Sequence, residues 1–165
     1  MSVLPIVLWP DPRLREDCAP VADIASVQSL VGDMFETMYA APGRGLAAPQ
    51  VGVMQRLFVM DATWKEGDMS PLVCINPEID TSGPASFGEE ACLSIPGVAA
   101  DVSRAQAITL RFTDLNGAQQ SLELTGFAAI CAQHEMDHLE GRVIFDHLDA
   151  GARAALEADY QKGAA

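Results

Sequence analysis

Between Ser26 and Gly43 the apolar positions Val27, Leu30, Val31, Met34, Phe35, Met38 and Tyr39 return every three or four residues, which predicts an amphipathic helix with one face on a core. Gly43 supplies its stop. Ahead of it, Pro5, Pro10, Pro12 and Pro20 punctuate the first 20 residues, so that stretch should be extended or turning. Beyond it the pattern becomes that of strands. Arg56–Met60 and Leu72–Ile75 are short runs rich in Val, Leu and Phe, and Ile108–Thr113 and Ser121–Leu124 alternate apolar with polar residues. Asn116-Gly117, between the last two, is a hairpin turn signal. Thr125 is placed to cap a second helix over Gly126–Glu140, stopped by Gly141. An Ala-rich stretch from about Ala150 to Lys162 predicts a weaker final helix. Strands on both sides of one central helix point to an α+β fold with antiparallel sheets around that helix.

The 165 residues are the length of one domain, 1–165, with 150–165 as a short C-terminal helix or tail. Apolar residues make up 49% and charged residues 20%, which rules out a disordered chain. Ten Lys+Arg stand against 23 Asp+Glu, a net charge of −13. A broad grip on DNA, RNA or an anionic membrane needs a basic face, so neither DNA nor membrane is an expected partner. No apolar run approaches the roughly 18 residues of a membrane helix. Cys18, Cys74, Cys92 and Cys131 form no CxxC pair, which suits free thiols in a reducing compartment. Met1–Trp9 lacks the basic start and small-residue cleavage site of a signal peptide. A cytoplasmic protein is expected.

The chemistry concentrates in the second helix, where His134-Glu135-Met136-Asp137-His138 has the pattern HExxH. Residues four apart on a helix differ by about 40° in azimuth, so both imidazoles project toward one point and can share a metal ion. Glu135, one residue after the first ligand, is placed to touch water rather than the metal, as a general base must. Phe127, Ile130 and Cys131 precede His134 by seven, four and three positions and would build an apolar wall on the same face. HExxH alone arises often by chance. Here the chain has only three histidines, and two of them stand at ligand spacing. The third ligand is open. A metzincin continuation would place it at 144, which is Ile144. Glu157 stands near the separation of a thermolysin-like glutamate, and Cys92 offers a thiolate. Spacing does not choose between these two.

Three segments in order resemble the peptide deformylases. Gly43-Arg44-Gly45-Leu46-Ala47-Ala48-Pro49-Gln50 is similar to that family's GxGxAAxQ. Glu90-Ala91-Cys92-Leu93-Ser94 is similar to its EGCLS, and His134–His138 with Leu139 and Gly141 to its HExxH segment. Pro10–Arg15 and Arg104 also look like the family, and the resemblance runs from about Ile6 to Leu148. It implies a deformylase-like catalytic domain that hydrolyses the N-formyl group from formyl-methionyl nascent peptides and releases formate. It selects Cys92 with His134 and His138 as metal ligands and makes Glu135 the catalytic carboxylate. Gln50 and the backbone N–H of Leu93 become donors to the formyl oxygen, and Gly45 lies along the bound peptide. Phe127, Ile130 and Cys131 become part of the methionine pocket, and Glu90 and Arg104 an ion pair bracing the Cys92 segment. The implied cofactor is one divalent ion, natively Fe²⁺, with Zn²⁺, Ni²⁺ or Co²⁺ able to replace it.

Two places depart from that pattern. Ala91 stands where a glycine is usual, and no basic residue lies near Ala99. A divergent amidase acting on another N-acyl substrate is the alternative within the class, and a non-catalytic metal-binding interaction module the alternative outside it. The tail sets Arg153 and Lys162 against Glu157 and Asp159, so no basic stripe is available for strong ribosome docking. A monomer is expected, meeting nascent peptides with at most weak ribosome proximity. His147 reads as structural, and Cys18 and Cys74 as small buried hydrophobes.

Overall fold

The computed structural model describes residues 2–164; Met1 and Ala165, the two ends of the expected domain, lie outside the described residues. The first helix, α1, spans Gln28–Ala40. A single 3₁₀ turn, Ile24–Val27, precedes it, with the Asp23 carboxylate accepting the Ala25 N–H at 3.1 Å. The α-helix therefore begins one residue after Val27, the first of its apolar positions. Val31, Met34 and Met38 form its buried face, packed on Leu46, Leu57, Val59 and Ile75 of the sheet. The Gly43 N–H donates to the Met38 carbonyl at 2.7 Å and ends the helical run where the glycine predicts.

Five strands follow: β1 (Gly45–Ala47), β2 (Leu57–Met60), β3 (Leu72–Cys92), β4 (Ile95–Thr113) and β5 (Gln119–Thr125). They form one antiparallel sheet in chain order rather than several sheets, because β3 and β4 run on far past their neighbours. Most of that hairpin, 76–107, has no strand signal in the sequence. Its register slips between Ile75 and Glu78 and between Ser82 and Ala85, so Pro77 and Pro84 sit at irregularities where no ladder bond needs their missing N–H. Its middle is exposed, which removes the usual alternation. The β4–β5 turn forms where Asn116-Gly117 predicts, with Gly117 at φ +81° and the Asp114 carboxylate accepting the N–H groups of Asn116 and Ala118.

Helix α2, Gly126–Leu139, packs against β1, β2, β4 and β5 and buries residues on several sides. Thr125 precedes it but makes no capping hydrogen bond. It is held extended as the last residue of β5, opposite Ala107, and Gly126 makes the turn at φ +60°. Helix α3, Ala150–Ala164, is anchored rather than a loose tail. Asp149 accepts the Ala152 N–H at its start, and the buried Tyr160 packs in one cluster with Cys92, Ile95 and Phe145 and donates to the Trp9 carbonyl at 2.7 Å. The N-terminal stretch, irregular as its prolines predict, ties the parts together. Its Val7 N–H donates to the Gln50 carbonyl at 2.7 Å, Trp9 N–H to Ser94 at 2.9 Å and Cys18 N–H to Leu139 at 2.9 Å. All four cysteines are free and buried. No described helix is long and apolar enough to cross a membrane.

Gly141 lets this N-terminal stretch approach the end of α2. Its φ is +72°, and a Cβ there would lie 2.7 Å from the Arg15 carbonyl carbon and closer still to the oxygen. Backbone strain and overlap together make Gly141→Ala destabilising by about 2 kcal/mol or more. Thermal denaturation should show Tm lower by roughly 4–8 °C for a chain of this size; an unchanged Tm would show that the two segments separate freely.

Candidate active site

Cys92 ends β3 immediately before the two-residue turn Leu93-Ser94, and His134 and His138 lie one turn apart on α2. The two Nε2 atoms are 3.3 Å apart, and Cys92 Sγ is 3.4 Å from His138 Nε2. All three ligand atoms fall within 4.8 Å of one another. Cys92 and His138 are buried, and His134 lines a cavity of about 680 Å³. Two imidazole nitrogens and a sulfur converging this closely are a donor set for a divalent transition metal. Glu157, the rival third ligand, is on α3 and accepts from Arg153 Nε at 2.8 Å instead.

Charge is concentrated around these donors: burial opposes it, but the contacts with Cys92, Glu135 and Glu90 raise the His134 pKa well above the usual imidazole value. Burial alone would raise the Cys92 thiol, but the flanking His138 and His134 rings hold it down at about 5, so the sulfur is a thiolate at neutral pH. Glu90 is likewise pushed up by burial, yet its hydrogen bonds to His134 and Arg104 bring it to about 2. An ionised carboxylate only accepts, so its 3.0 Å contact with His134 Nδ1 places a ring proton on Nδ1 and turns Nε2 toward His138 and Cys92.

Arg104 braces this arrangement. Its Nε and Nη2 each donate at 2.9 Å to one oxygen of Glu90, and its Nη1 donates at 2.7 Å to Asp137 Oδ2. One buried guanidinium therefore ties the strand that carries Cys92 to the helix that carries both histidines. The Glu90–Arg104 pair suggested by the sequence is present. Asp137, inside HExxH, is a third member that sequence reading missed; its only signal is an acidic residue beside the second histidine of the ligand-bearing helix.

Two polar side chains, Glu135 and Gln50, adjoin the ligand cluster. Glu135 is buried; its Oε1 has no hydrogen-bond partner among the described residues, and burial raises its pKa against the pull of His134 and His138. Gln50 closes a 3₁₀ turn, Ala48–Val51. Its Oε1 accepts the Ala47 N–H at 3.0 Å, which turns its amide nitrogen toward Ser94 Oγ at 3.1 Å and Cys92 Sγ at 3.7 Å. Ser94, buried and missed in the sequence, thus holds the glutamine amide. Leu93 lies beyond the last ladder pair, Cys92↔Ile95, so its N–H is free of the sheet.

The wall residues also assemble. Ile130, Cys131 and Phe127 line the cavity with His134 and Glu135. Phe127 is 50% exposed and carries the Arg44 guanidinium 5.0 Å above its ring, so it forms the rim rather than the floor. Gly45 lines the cavity as well, but its bareness faces inward: a Cβ there would stand 2.5 Å from Glu135 Oε2 and 3.0 Å from Cys131 Sγ.

Comparison with known proteins agrees with this geometry. The model of the polypeptide deformylase family matches residues 3–154. A peptide deformylase from Xylella fastidiosa strain M12 is 48% identical over 98% of this chain and 96% of its own length. The chain belongs to the peptide deformylase family. One from Rhizobium meliloti strain 1021 is 43% identical over 99% and 95%. Among solved structures, the Ehrlichia chaffeensis peptide deformylase in complex with actinonin superposes with a TM-score of 0.91 at 41% identity, covering 98% of both chains. The Legionella pneumophila peptide deformylase does so with 0.91 at 39%, covering 98% and 95%. The expected α+β deformylase fold is therefore present, and with it a metal-dependent hydrolase. The Ala91 departure carries no backbone strain: among the described residues, Asn76 alone of the non-glycines has positive φ.

Two outcomes follow from these contacts. Removing Arg104 leaves Glu90 and Asp137 buried without their counter-charge, so Arg104→Met should destabilise the protein by roughly 3–5 kcal/mol in denaturant titrations. Glu90→Gln in the same chain should recover part of that loss, and simple additivity would dissolve the proposed pairing. Gly45→Ala should displace Glu135 and lower kcat by up to about 100-fold while leaving Tm nearly unchanged; retained kcat would show that the glutamate has room to move.

Proposed function

We propose that this chain removes the N-formyl group from the N-terminal formyl-methionine of nascent polypeptides and releases formate, with residues 1–165 as one catalytic unit. The observation that carries the reading is an uncommitted buried carboxylate, Glu135, beside three converging ligands and an amide pinned by its own oxygen. A purely structural metal site has no use for either the carboxylate or the oriented amide.

The proposed roles follow from positions. Cys92, His134 and His138 hold one divalent ion, which when bound supplies Lewis-acid activation of water and of the formyl carbonyl. Glu135 accepts the proton of the attacking water and passes it to the departing amine, so that water and formamide become formate and a free N-terminus. The Gln50 amide and the Leu93 N–H donate to the formyl oxygen as it gains negative charge. Gly45 lies along the bound peptide, and its missing side chain makes room for Glu135 behind it. Ile130 and Cys131, with Phe127 at the rim, receive the methionine side chain, whose unbranched thioether suits an irregular apolar wall. A thiolate with two imidazoles suits Fe²⁺, the proposed native ion, and also Zn²⁺, Ni²⁺ or Co²⁺.

The proposed partners are formylated nascent chains, with at most weak ribosome proximity. Arg153 is bound to Asp146 and Glu157, so α3 offers no basic stripe for the ribosome. A monomer in the cytoplasm, where free thiols persist, completes the proposal. The alternative within the class, another N-acyl substrate, rests on the absence of a basic residue near Ala99.

Glu135→Gln, at confirmed wild-type metal content, should lose at least about 100-fold in kcat on a formyl-Met peptide, the scale of general-base catalysis. Gln50→Ala should lose about 100- to 1000-fold, as for one oxyanion donor. Near-normal turnover by either removes that residue from the mechanism. Formate or acid release across formyl-, acetyl- and propionyl-Met-Ala-Ser should favour formyl; a larger acyl group processed equally well supports the alternative.

A further inference from the structure

The third histidine, read from the sequence as structural, joins the site through a continuous chain of hydrogen bonds. His147 Nε2 is 2.7 Å from Asp137 Oδ2, the oxygen that also accepts Arg104 Nη1 at 2.7 Å. Arg104 then grips both oxygens of Glu90, and Glu90 Oε1 meets His134 Nδ1 at 3.0 Å. Every member is mostly buried: His147 is 17% exposed and His134 12%. Asp137, an acceptor only, requires the proton on His147 Nε2. The remaining neighbour, Arg142, is half-exposed and 3.8 Å from the other oxygen of Asp137.

We propose that His147 is a positioning residue that sets how firmly His134 holds the metal ion, acting through Asp137, Arg104 and Glu90. The guanidinium is planar and rigid, so fixing one edge fixes the other. His147 pins Asp137 Oδ2 at the point where one edge of Arg104 meets it, and the opposite edge aligns Glu90 against His134. The carboxylate of Glu90, held by that edge, presents its negative charge to the metal site at His134 Nδ1. A carboxylate in that place orients a ligating imidazole and strengthens its donation. The partner ring lacks this support, since His138 Nδ1 has no hydrogen-bond partner among the described residues. The two imidazoles are therefore unequal ligands, and the 3₁₀ turn Ile144–His147, anchored by buried Ile144 and Phe145, governs one of them.

This inference rests on the metal reading of Cys92, His134 and His138. The test loads wild type, His147→Leu, His147→Gln and Cys92→Ala with Co²⁺ and follows release to excess chelator by cobalt–thiolate absorbance, with the Tm of each metal-free protein alongside. Leu fills the imidazole volume but donates nothing, whereas Gln brings an amide N–H close to the place of Nε2. His147→Leu should release Co²⁺ about 10-fold faster, the lower end for an outer ligand partner, and His147→Gln within about 2-fold of wild type. If His147→Leu lowers the metal-free Tm yet releases Co²⁺ at the wild-type rate, the residue only packs and the inference is overturned while the metal reading stands. If Cys92→Ala holds Co²⁺ as tightly as wild type, the metal reading itself fails and takes the inference with it.

Discussion

The guanidinium of Arg104 is the constraint on which the site depends. Cys92 is carried by a long hairpin and the two histidines by a helix, and nothing in the backbone of either element dictates that they meet. Glu90 lies two residues before Cys92, and Asp137 one residue before His138. By binding both carboxylates, Arg104 fixes the separation of strand and helix at the level of the ligands. Burying three charges is not in itself stabilising, and apolar residues of equal volume commonly do as well. Its value here is geometric: the pairing is satisfied in one relative position of hairpin and helix.

Around that brace the site is built by close approaches that particular small or polar residues permit. Gly45 brings β1 against Glu135, and Gly141 brings the N-terminal stretch against the end of α2. That stretch in turn hydrogen-bonds at Val7 to the Gln50 turn and at Trp9 to Ser94, so the loop carrying the amide and the turn following Cys92 are held by one extended segment. Gln50 itself is oriented at both ends, by Ala47 and by Ser94. The Gln50 amide, proposed to donate to the formyl oxygen, is thus held before substrate arrives, which is the condition for such a group to act without reorganisation.

The chain's large negative charge has little to do with this chemistry. Most of its acidic groups are solvated at the surface, while the few that matter, Glu90, Glu135 and Asp137, are buried and distinguished by their neighbours. Glu90 and Asp137 have cationic or hydrogen-bonding partners and stay ionised. Glu135 has an oxygen without one, and burial raises its proton affinity. Three carboxylates within a few residues of the ligands are thereby given different tasks by environment rather than by residue type.

The helices α1 and α2, the β4–β5 hairpin and the HExxH ligand pair were legible in the sequence, because periodicity, turn chemistry and i,i+4 spacing are local properties of the chain. The motif order also pointed to Cys92 and Gln50 before any contact was visible. The long β3–β4 hairpin was not legible, since its exposed middle and its prolines at bulges erase the alternation that marks a strand. Nor were Ser94, Asp137 and the place of His147 in the network, for a serine, an aspartate and a histidine carry no sign of what they will touch. Local spacing determined that two imidazoles would share a face; only the tertiary structure brought the sulfur, the carboxylates and the guanidinium against them, because those distances are set by the packing of segments far apart in sequence.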